Sequence, residues 1–210
     1  MRVSRADLLD QERALQTMAL CNNLEGPVDI ALWEYAKEQM KDDPQELVEG
    51  SQRLAEELFT SETKYMITAI TSNYLKGERY YCLKGAPEIV LGMCQVALAE
   101  RDRILAQVDE WAGEGLRLLG LAYRPRGVLE DYSGYTWVGL VGMEDPIREG
   151  VHEAVEVAQR AGIKVKMISA VAFAGACLMS LDTPQLSLAQ FTSLTFTGEG
   201  FFLVAITHCG

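Results

Sequence analysis

The sequence predicts an α+β fold: an antiparallel sheet flanked by helices, followed by a shorter α/β segment. Three observations carry this reading. Lys64 to Ser72 alternates and is rich in Thr, Ile and Tyr, Leu75-Lys76-Gly77-Glu78 reads as a turn, and Arg79 to Lys84 returns as a partner strand. That order describes an antiparallel hairpin. Residues 27–40 and 99–114 carry apolar side chains at helical spacing, so helices flank the hairpin. From Thr136 the chain reads strand, helix, strand, the order that begins a parallel sheet.

The elements follow in order. Residues 5–20 have helical character, with Leu8, Leu9, Leu15, Met18 and Ala19 on one broad face. Pro27 begins a second helix on Val28, Ala31, Leu32, Tyr35, Ala36 and Met40, and Asp42-Asp43-Pro44 stops it. The Glu-rich stretch 44–58 reads as a third helix that buries Leu47, Val48, Leu54 and Leu58. Tyr80 to Leu83 suit a half-buried strand. Gly85 lets the backbone turn and approach another group closely. Pro87 fits a first helical position, with Glu88 complementing the helix dipole. Lys84 ends the strand beside free N–H groups, which suits a phosphate or another anion, or else it is a solvated lysine at a corner. Ala99 to Glu114 is an amphipathic helix lined by Ile104, Leu105, Val108 and Trp111, and Gly113 or Gly115 closes it. Gly115 to Arg124 and Thr136 to Met143 are buried strands separated by a loop over Gly127–Gly134. Glu149 to Arg160 is a helix, and Ala161 to Ile168 is the next strand.

A chain of 210 residues suffices for one good-sized domain, or one domain and part of another. The formal net charge of −11 argues against nucleic acid or an anionic membrane as the main partner, since both want a basic face. Lysines and arginines can still line one local pocket. The 5 cysteines form no CxxC pair and no metal-ligand spacing with the 2 histidines. That fits reduced thiols in a cytosolic setting, with Cys82 and Cys94 packing rather than reacting. Arg2, Arg5 and Asp7 interrupt any apolar leader, and no apolar run is long enough to span a bilayer.

Lys84-Gly85-Ala86-Pro87-Glu88 is similar to the KGAPE motif of the nucleotide-binding domain of P-type ATPases, the cation pumps that pass through an aspartyl-phosphate. Further stretches match in the same order. Ala19-Leu20-Cys21-Asn22 resembles ALCN. Gly26 to Leu32 resembles G-[DN]-P-T-E-x-A-L, with one residue missing before Pro27 and Asp29 in place of Glu. Phe59-Thr60-Ser61-Glu62-Thr63-Lys64-Tyr65-Met66 matches F-x-S-x-x-K-x-M. Gly115 to Ala122 resembles G-L-R-x-L-x-x-A, and Asp145-Pro146-Ile147-Arg148 matches D-P-x-R. The pairing of FxSxxKxM with KGAPE points to the calcium-like or sodium/potassium-like pumps.

The resemblance implies ATP as ligand, with Mg²⁺ carried by the nucleotide, and a site built from Asp29, Phe59, Ser61, Lys64, Lys84, Gly85, Ala86, Arg117, Leu119, Asp145 and Arg148. Phe59 would stack on adenine and Lys64 would line the pocket. Asp29 would face the adenine amino group. Arg117 would reach the phosphates, Leu119 the ribose and base, and Asp145 and Arg148 the ribose and Mg–phosphate region. The residues alone leave other readings open: Asp29 as a first-turn carboxylate favoured by the helix dipole, Phe59 as a core residue, and Arg117 in a surface ion pair.

The resemblance divides the chain into a nucleotide-binding domain over 1–128, a partial phosphorylation-domain segment over 129–168 and a divergent tail over 169–210. The family continues into T-G-D where this chain has Ser169-Ala170-Val171, and from Ser169 to Gly210 there is no Lys or Arg. The implied partners are an adenine nucleotide and the remainder of a P-type pump on the cytosolic face of a membrane. The alternatives are a soluble non-catalytic regulator that kept the fold, or a haloacid-dehalogenase-like phosphatase, which needs a nucleophilic aspartate in a loop this chain lacks.

The phosphorylated D-K-T-G-T loop, expected upstream of Met1, is not in these 210 residues. Incubated with γ-labelled ATP and Mg²⁺, this chain alone should take up no acid-stable, hydroxylamine-sensitive label; such a label on the chain would contradict the reading.

Overall fold

Strands β1 (Arg2–Leu8), β2 (Ser51–Glu57), β3 (Tyr65–Ser72), β4 (Arg79–Gly85), β5 (Arg117–Arg124) and β6 (Thr136–Glu144) form one sheet in the order β1-β6-β5-β4-β3-β2. Every pairing in it is antiparallel. The computed structural model describes residues 1–72, 79–146, 150–170 and 201–207. The chain divides into two compact units, Met1–Pro146 and Ile147–Gly210. The first is thus an α+β unit, and the turn expected over 75–78 lies outside the described residues.

Period-two alternation sorts the central strands onto two faces. Tyr65, Ile67, Ala69, Tyr81, Leu83 and Ala122 pack with α4 (Pro87–Met93) and α5 (Leu98–Gly113), through Val90, Leu91, Ile104 and Trp111. Leu121, Val138, Val141 and Met143 pack against α1 (Gln11–Leu20) and α2 (Pro27–Gln39) on the other face. Met66, Ile70 and Cys82 continue that layer toward the short α3 (Pro44–Glu49). Fully burying side chains such as Leu32, Ile67, Leu83 and Leu121 contributes about 1.5–3 kcal/mol each, so the sheet is held from both sides. Arg13 of α1 lies over the rings of both Tyr80 and Tyr123, at 5.0 and 5.4 Å. On the opposite face Arg124 is buried between Tyr81 and Tyr135, and it donates to Ser133 O and Val128 O, which closes the loop before β6.

Two helix expectations are corrected. Residues 5–8 belong to the edge strand β1, and α1 starts only at Gln11. Asp10 caps it by accepting from the Arg13 N–H at 3.0 Å, so the helix does not extend upstream. Of the stretch 44–58, only Pro44–Glu49 is helical; Gly50 ends that helix, and Ser51–Glu57 is the opposite edge strand. Glutamate and leucine favour a helix by propensity, but pairing with β3 decides the strand. Leu54 and Leu58, expected to be buried, are exposed, because no layer covers this edge.

The strand that was to begin a parallel sheet is also different. β6 is antiparallel to both β5 and β1. A strand buried on both faces reads alike from either kind of sheet. In the second unit α6 (Val151–Arg160) is followed by β7 (Lys164–Ala170), which pairs antiparallel with β8 (Phe201–Thr207). The tail over 171–200 and 208–210 lies outside the described residues. Cys82 is buried as expected, and burial pushes its thiol up to about 12. Cys94 is half-buried, with its thiol likewise raised to about 12.

A Cβ on Gly85 would lie 2.5 Å from Lys64 O and 2.7 Å from Tyr65 Cα, both backbone atoms that cannot swing away. Gly85→Ala should therefore lose about 1–3 kcal/mol of stability, as overpacked sites do, read as a lower urea midpoint. An unchanged midpoint would mean that the corner gives more easily than its geometry indicates.

Candidate functional site

The sheet register gathers most of the expected site residues at one end. β2 ends at Glu57 and β3 begins at Tyr65, which pairs with Gly85, the last residue of β4. Gly85 pairs with Gly120, so the first residues of β5, Arg117 to Leu119, project past the end of β4. β6 ends beside Arg117, which pairs with Met143. Phe59, Ser61, Lys64, Lys84, Gly85, Ala86, Arg117, Leu119 and Asp145 thus belong to one sheet end. Asp29 joins them from the first turn of α2. Arg148 lies outside the described residues.

Lys84 departs furthest from its expected setting. Alternation along β4 turns it, with Cys82, toward the α1–α2 layer rather than to solvent. Its side chain is only 6% exposed, and its Nζ sits 2.5 Å from Asp29 Oδ1, whose side chain is 17% exposed. The second carboxylate oxygen, Oδ2, accepts from the Asn23 N–H at 3.1 Å. Asp29 is thus a first-turn helix carboxylate and at the same time the counter-ion of a buried lysine. The Lys84 ammonium is committed to a partner within the fold.

The neighbouring corner is built differently. The turn before β3 is closed by the Lys64 N–H donating to Thr60 O at 2.8 Å, and Lys64 itself has φ +61°. A left-handed backbone at a non-glycine residue costs of order 1–3 kcal/mol. The Lys64 carbonyl accepts from the Ala86 N–H at 2.9 Å, which locks this turn onto the start of α4. Of the free N–H groups expected beside Lys84, the one on Ala86 is therefore already used. The Lys64 and Arg117 side chains are exposed, and among the described residues neither has an ion-pair partner. Phe59 is 54% exposed on the segment after β2, so it is not the core residue its sequence context also allowed. Ser61 is exposed in the turn, and Leu119 is half-buried against the α1–α2 layer. Asp145 is exposed, with the chain's N-terminal amine 3.4 Å away.

Sequence reasoning assigned no role to Asn22, Asn23 or Arg53. The Asn22 amide donates to Met18 O at 3.1 Å and Asp29 O at 2.8 Å, tying the end of α1 to the start of α2. Arg53 donates to Leu20 O and Asn22 O at 3.1 and 2.7 Å. Reading 44–58 as one helix hid Arg53; the stop at Gly50 was the available signal. Among the described residues no three His, Cys, Asp or Glu side chains form a metal-binding group, and no helix is long and apolar enough to cross a membrane.

The family model described as P-type ATPase, cytoplasmic domain N, matches residues 10–150, which cover α1 through β6 and every expected site residue. The chain belongs to this family. It is 31% identical over 185 residues to calcium-transporting ATPase 1 of Lactococcus lactis subsp. lactis (strain IL1403), covering 76% of this chain and 21% of that protein. It is 36% identical over 134 residues to calcium-transporting ATPase 1, plasma membrane-type, of Oryza sativa subsp. japonica, covering 57% of this chain and 13% of that protein. A putative calcium-transporting ATPase 11, plasma membrane-type, of Arabidopsis thaliana is 41% identical over 129 residues, or 54% of this chain and 12% of that protein. The chain therefore spans a small part of the P-type ATPases it matches.

Removing one member of a buried ion pair leaves the other uncompensated. Asp29→Leu and Lys84→Met should each lose about 3–5 kcal/mol, whereas the double variant should lose clearly less than the sum. Urea unfolding of the four proteins measures this. Strict additivity would mean that the two charges do not depend on each other.

Proposed function

We propose that the unit Met1–Pro146 binds an adenine nucleotide at this sheet end and serves as the nucleotide-binding part of a calcium-transporting P-type pump. It would hold the γ-phosphate for transfer to an aspartate outside these 210 residues. The observation that carries the reading is the gathering at one end of the sheet of one open aromatic ring, Phe59, and two cations, Lys64 and Arg117, without an ion-pair partner among the described residues. An open ring accepts a base face, and exposed cations favour an anion in a chain whose formal charge is −11. Phosphoryl transfer relies on positioning and charge neutralisation, and a nucleotide-binding unit supplies the positioning.

Within this reading Phe59 stacks on the base and Leu119 meets the ribose and base. Asp29, held by Lys84, reads the adenine amino group with a remaining lone pair. Lys64 and Arg117 take the phosphates, while Ser61, Gly85 and Ala86 wall the corner. Asp145 attends the ribose and Mg–phosphate side. Bound Mg²⁺ would neutralise phosphate charge, and it would arrive on the nucleotide. Two observations support the wider assignment to the cytosolic side of a calcium pump: the family match, whose description is a cytoplasmic domain, and the names of the relatives. The start of the phosphorylation domain, expected at 129, would then fall after β6, because β6 pairs with β5 and β1 in the same sheet, and the stretch from there to 168 would belong to that domain.

Base stacking should contribute roughly 1–3 kcal/mol. Ordering and association offset much of the total, so a dissociation constant from about 0.1 to a few mM is expected, 1 mM being about −4.1 kcal/mol. Phe59→Ala should weaken ATP, ADP and AMP alike. Lys64→Ala and Arg117→Ala should weaken ATP more than AMP, and high salt should narrow that gap. ATP should bind better than GTP, because guanine presents a carbonyl to the Asp29 carboxylate. NMR titration decides the matter: no saturable binding at several millimolar, or shifts confined to other surfaces, would leave a fold without its ligand.

A further inference from the structure

We propose that Arg53, on the exposed edge strand β2, is a positioning residue for the Asp29–Lys84 pair and acts through the α1–α2 loop. Its guanidinium meets four acceptors. Nη2 donates to Leu20 O at 3.1 Å and Asn22 O at 2.7 Å, and Nη1 donates to Asn23 Oδ1 and, at 2.7 Å, to Glu56 Oε2. Three of these acceptors belong to the end of α1 and the loop that follows it. The same loop supplies the Asn23 N–H that holds Asp29 Oδ2. It also supplies the Asn22 amide, which bridges Met18 O and Asp29 O, while Asn22 Oδ1 accepts from the Leu24 N–H at 2.8 Å. Leu24 has φ +57°, a conformation that needs such bonds to persist.

A continuous set of hydrogen bonds therefore runs from Arg53 through the Asn22–Asn23 backbone to Asp29, and on to Lys84, while Glu56 pairs with Arg53 at the exposed edge, off this path. Only the rigid fork of an arginine spans the loop acceptors together; a lysine head is a point charge. Arg53 also faces the carbonyl end of α1, where a cation is favoured on general grounds. Capping that helix would stabilise the fold without touching the pair, so the two roles make different predictions. The consequence for base choice rests on the proposed nucleotide site; the effect on Lys84 does not.

The test uses the full chain, labelled with ¹⁵N-lysine, without nucleotide. The Lys84 Nζ signal is assigned by its loss in Lys84→Met. Arg53→Ala, Arg53→Lys and Asn22→Ala should shift that signal, and Glu56→Ala, which removes only a surface ion pair, should not. With nucleotide added, the three loop variants should lose about threefold or more of the preference for ATP over GTP, the scale on which coupled neighbours interact. If Arg53→Ala does not fold, Arg53→Lys decides. A folded Arg53→Lys with an unmoved Lys84 signal, whatever its melting temperature, would reduce Arg53 to a helix cap and overturn the proposal. If the wild-type chain binds no nucleotide, the functional reading fails, while the Lys84 signal still decides the role of Arg53.

Discussion

A buried ammonium sets the conditions for the end of this sheet that carries the candidate site. Lys84 lies one residue from the end of β4 and, by strand alternation, faces the helix layer rather than solvent. An ammonium in that layer requires a carboxylate at hydrogen-bonding distance, and Asp29 provides it at 2.5 Å. Such a pair adds little net stability, since desolvating both charges offsets most of their attraction. What its geometry ties together is the first turn of α2, the end of β4 and the α1–α2 loop. The first turn of α2 stands over the end of β4, and the α1–α2 loop presents the Asn23 N–H to the second carboxylate oxygen.

The corner beside the pair follows from a second close approach. Gly85 leaves no room for a side chain against the Lys64 carbonyl, and the Ala86 N–H takes that carbonyl as its acceptor. Strand β4, the turn before β3 and the start of α4 are therefore joined at one corner. The left-handed backbone at Lys64 is the cost of that junction. It sends the Lys64 side chain to solvent while Lys84, opposite Met66 on the next strand, is turned inward. Two lysines in adjoining motifs thus have opposite electrostatic roles: one is an exposed cation at the rim, the other an internal counter-charge.

The rest of the scaffold closes the opposite end of the sheet and keeps its edges from pairing. Arg124 clamps the loop before β6 from the far end of β5, with Asp131 2.5 Å from its guanidinium. At the β2 edge, the register shifts between Arg53 and Ala55, and Arg53, Glu56 and Glu57 put charges along the exposed strand. A bulge and charged side chains both discourage pairing with another chain. The charge pattern that protects the edge also gives Arg53 its reach into the α1–α2 loop.

Local patterns alone determined the helices α2 and α5, the β3–β4 hairpin and the buried run of β5. Each is a stretch in which spacing, caps and propensity agree. The order of short motifs also determined the family, because several matches in one sequence order are specific where each alone is weak. Only the tertiary structure decided the edge strands and the partners of the charged groups. β1 and β2 lack a buried face on their own, so their sequences resemble helices until the sheet supplies hydrogen bonds. β6 reads as buried whichever way its neighbours run. The pairing of Lys84 with Asp29 spans 55 residues. The reach of Arg53 into the loop depends on β2 being a strand at all. Those contacts follow from register and layer packing, which bring distant residues together and which no local window of sequence contains.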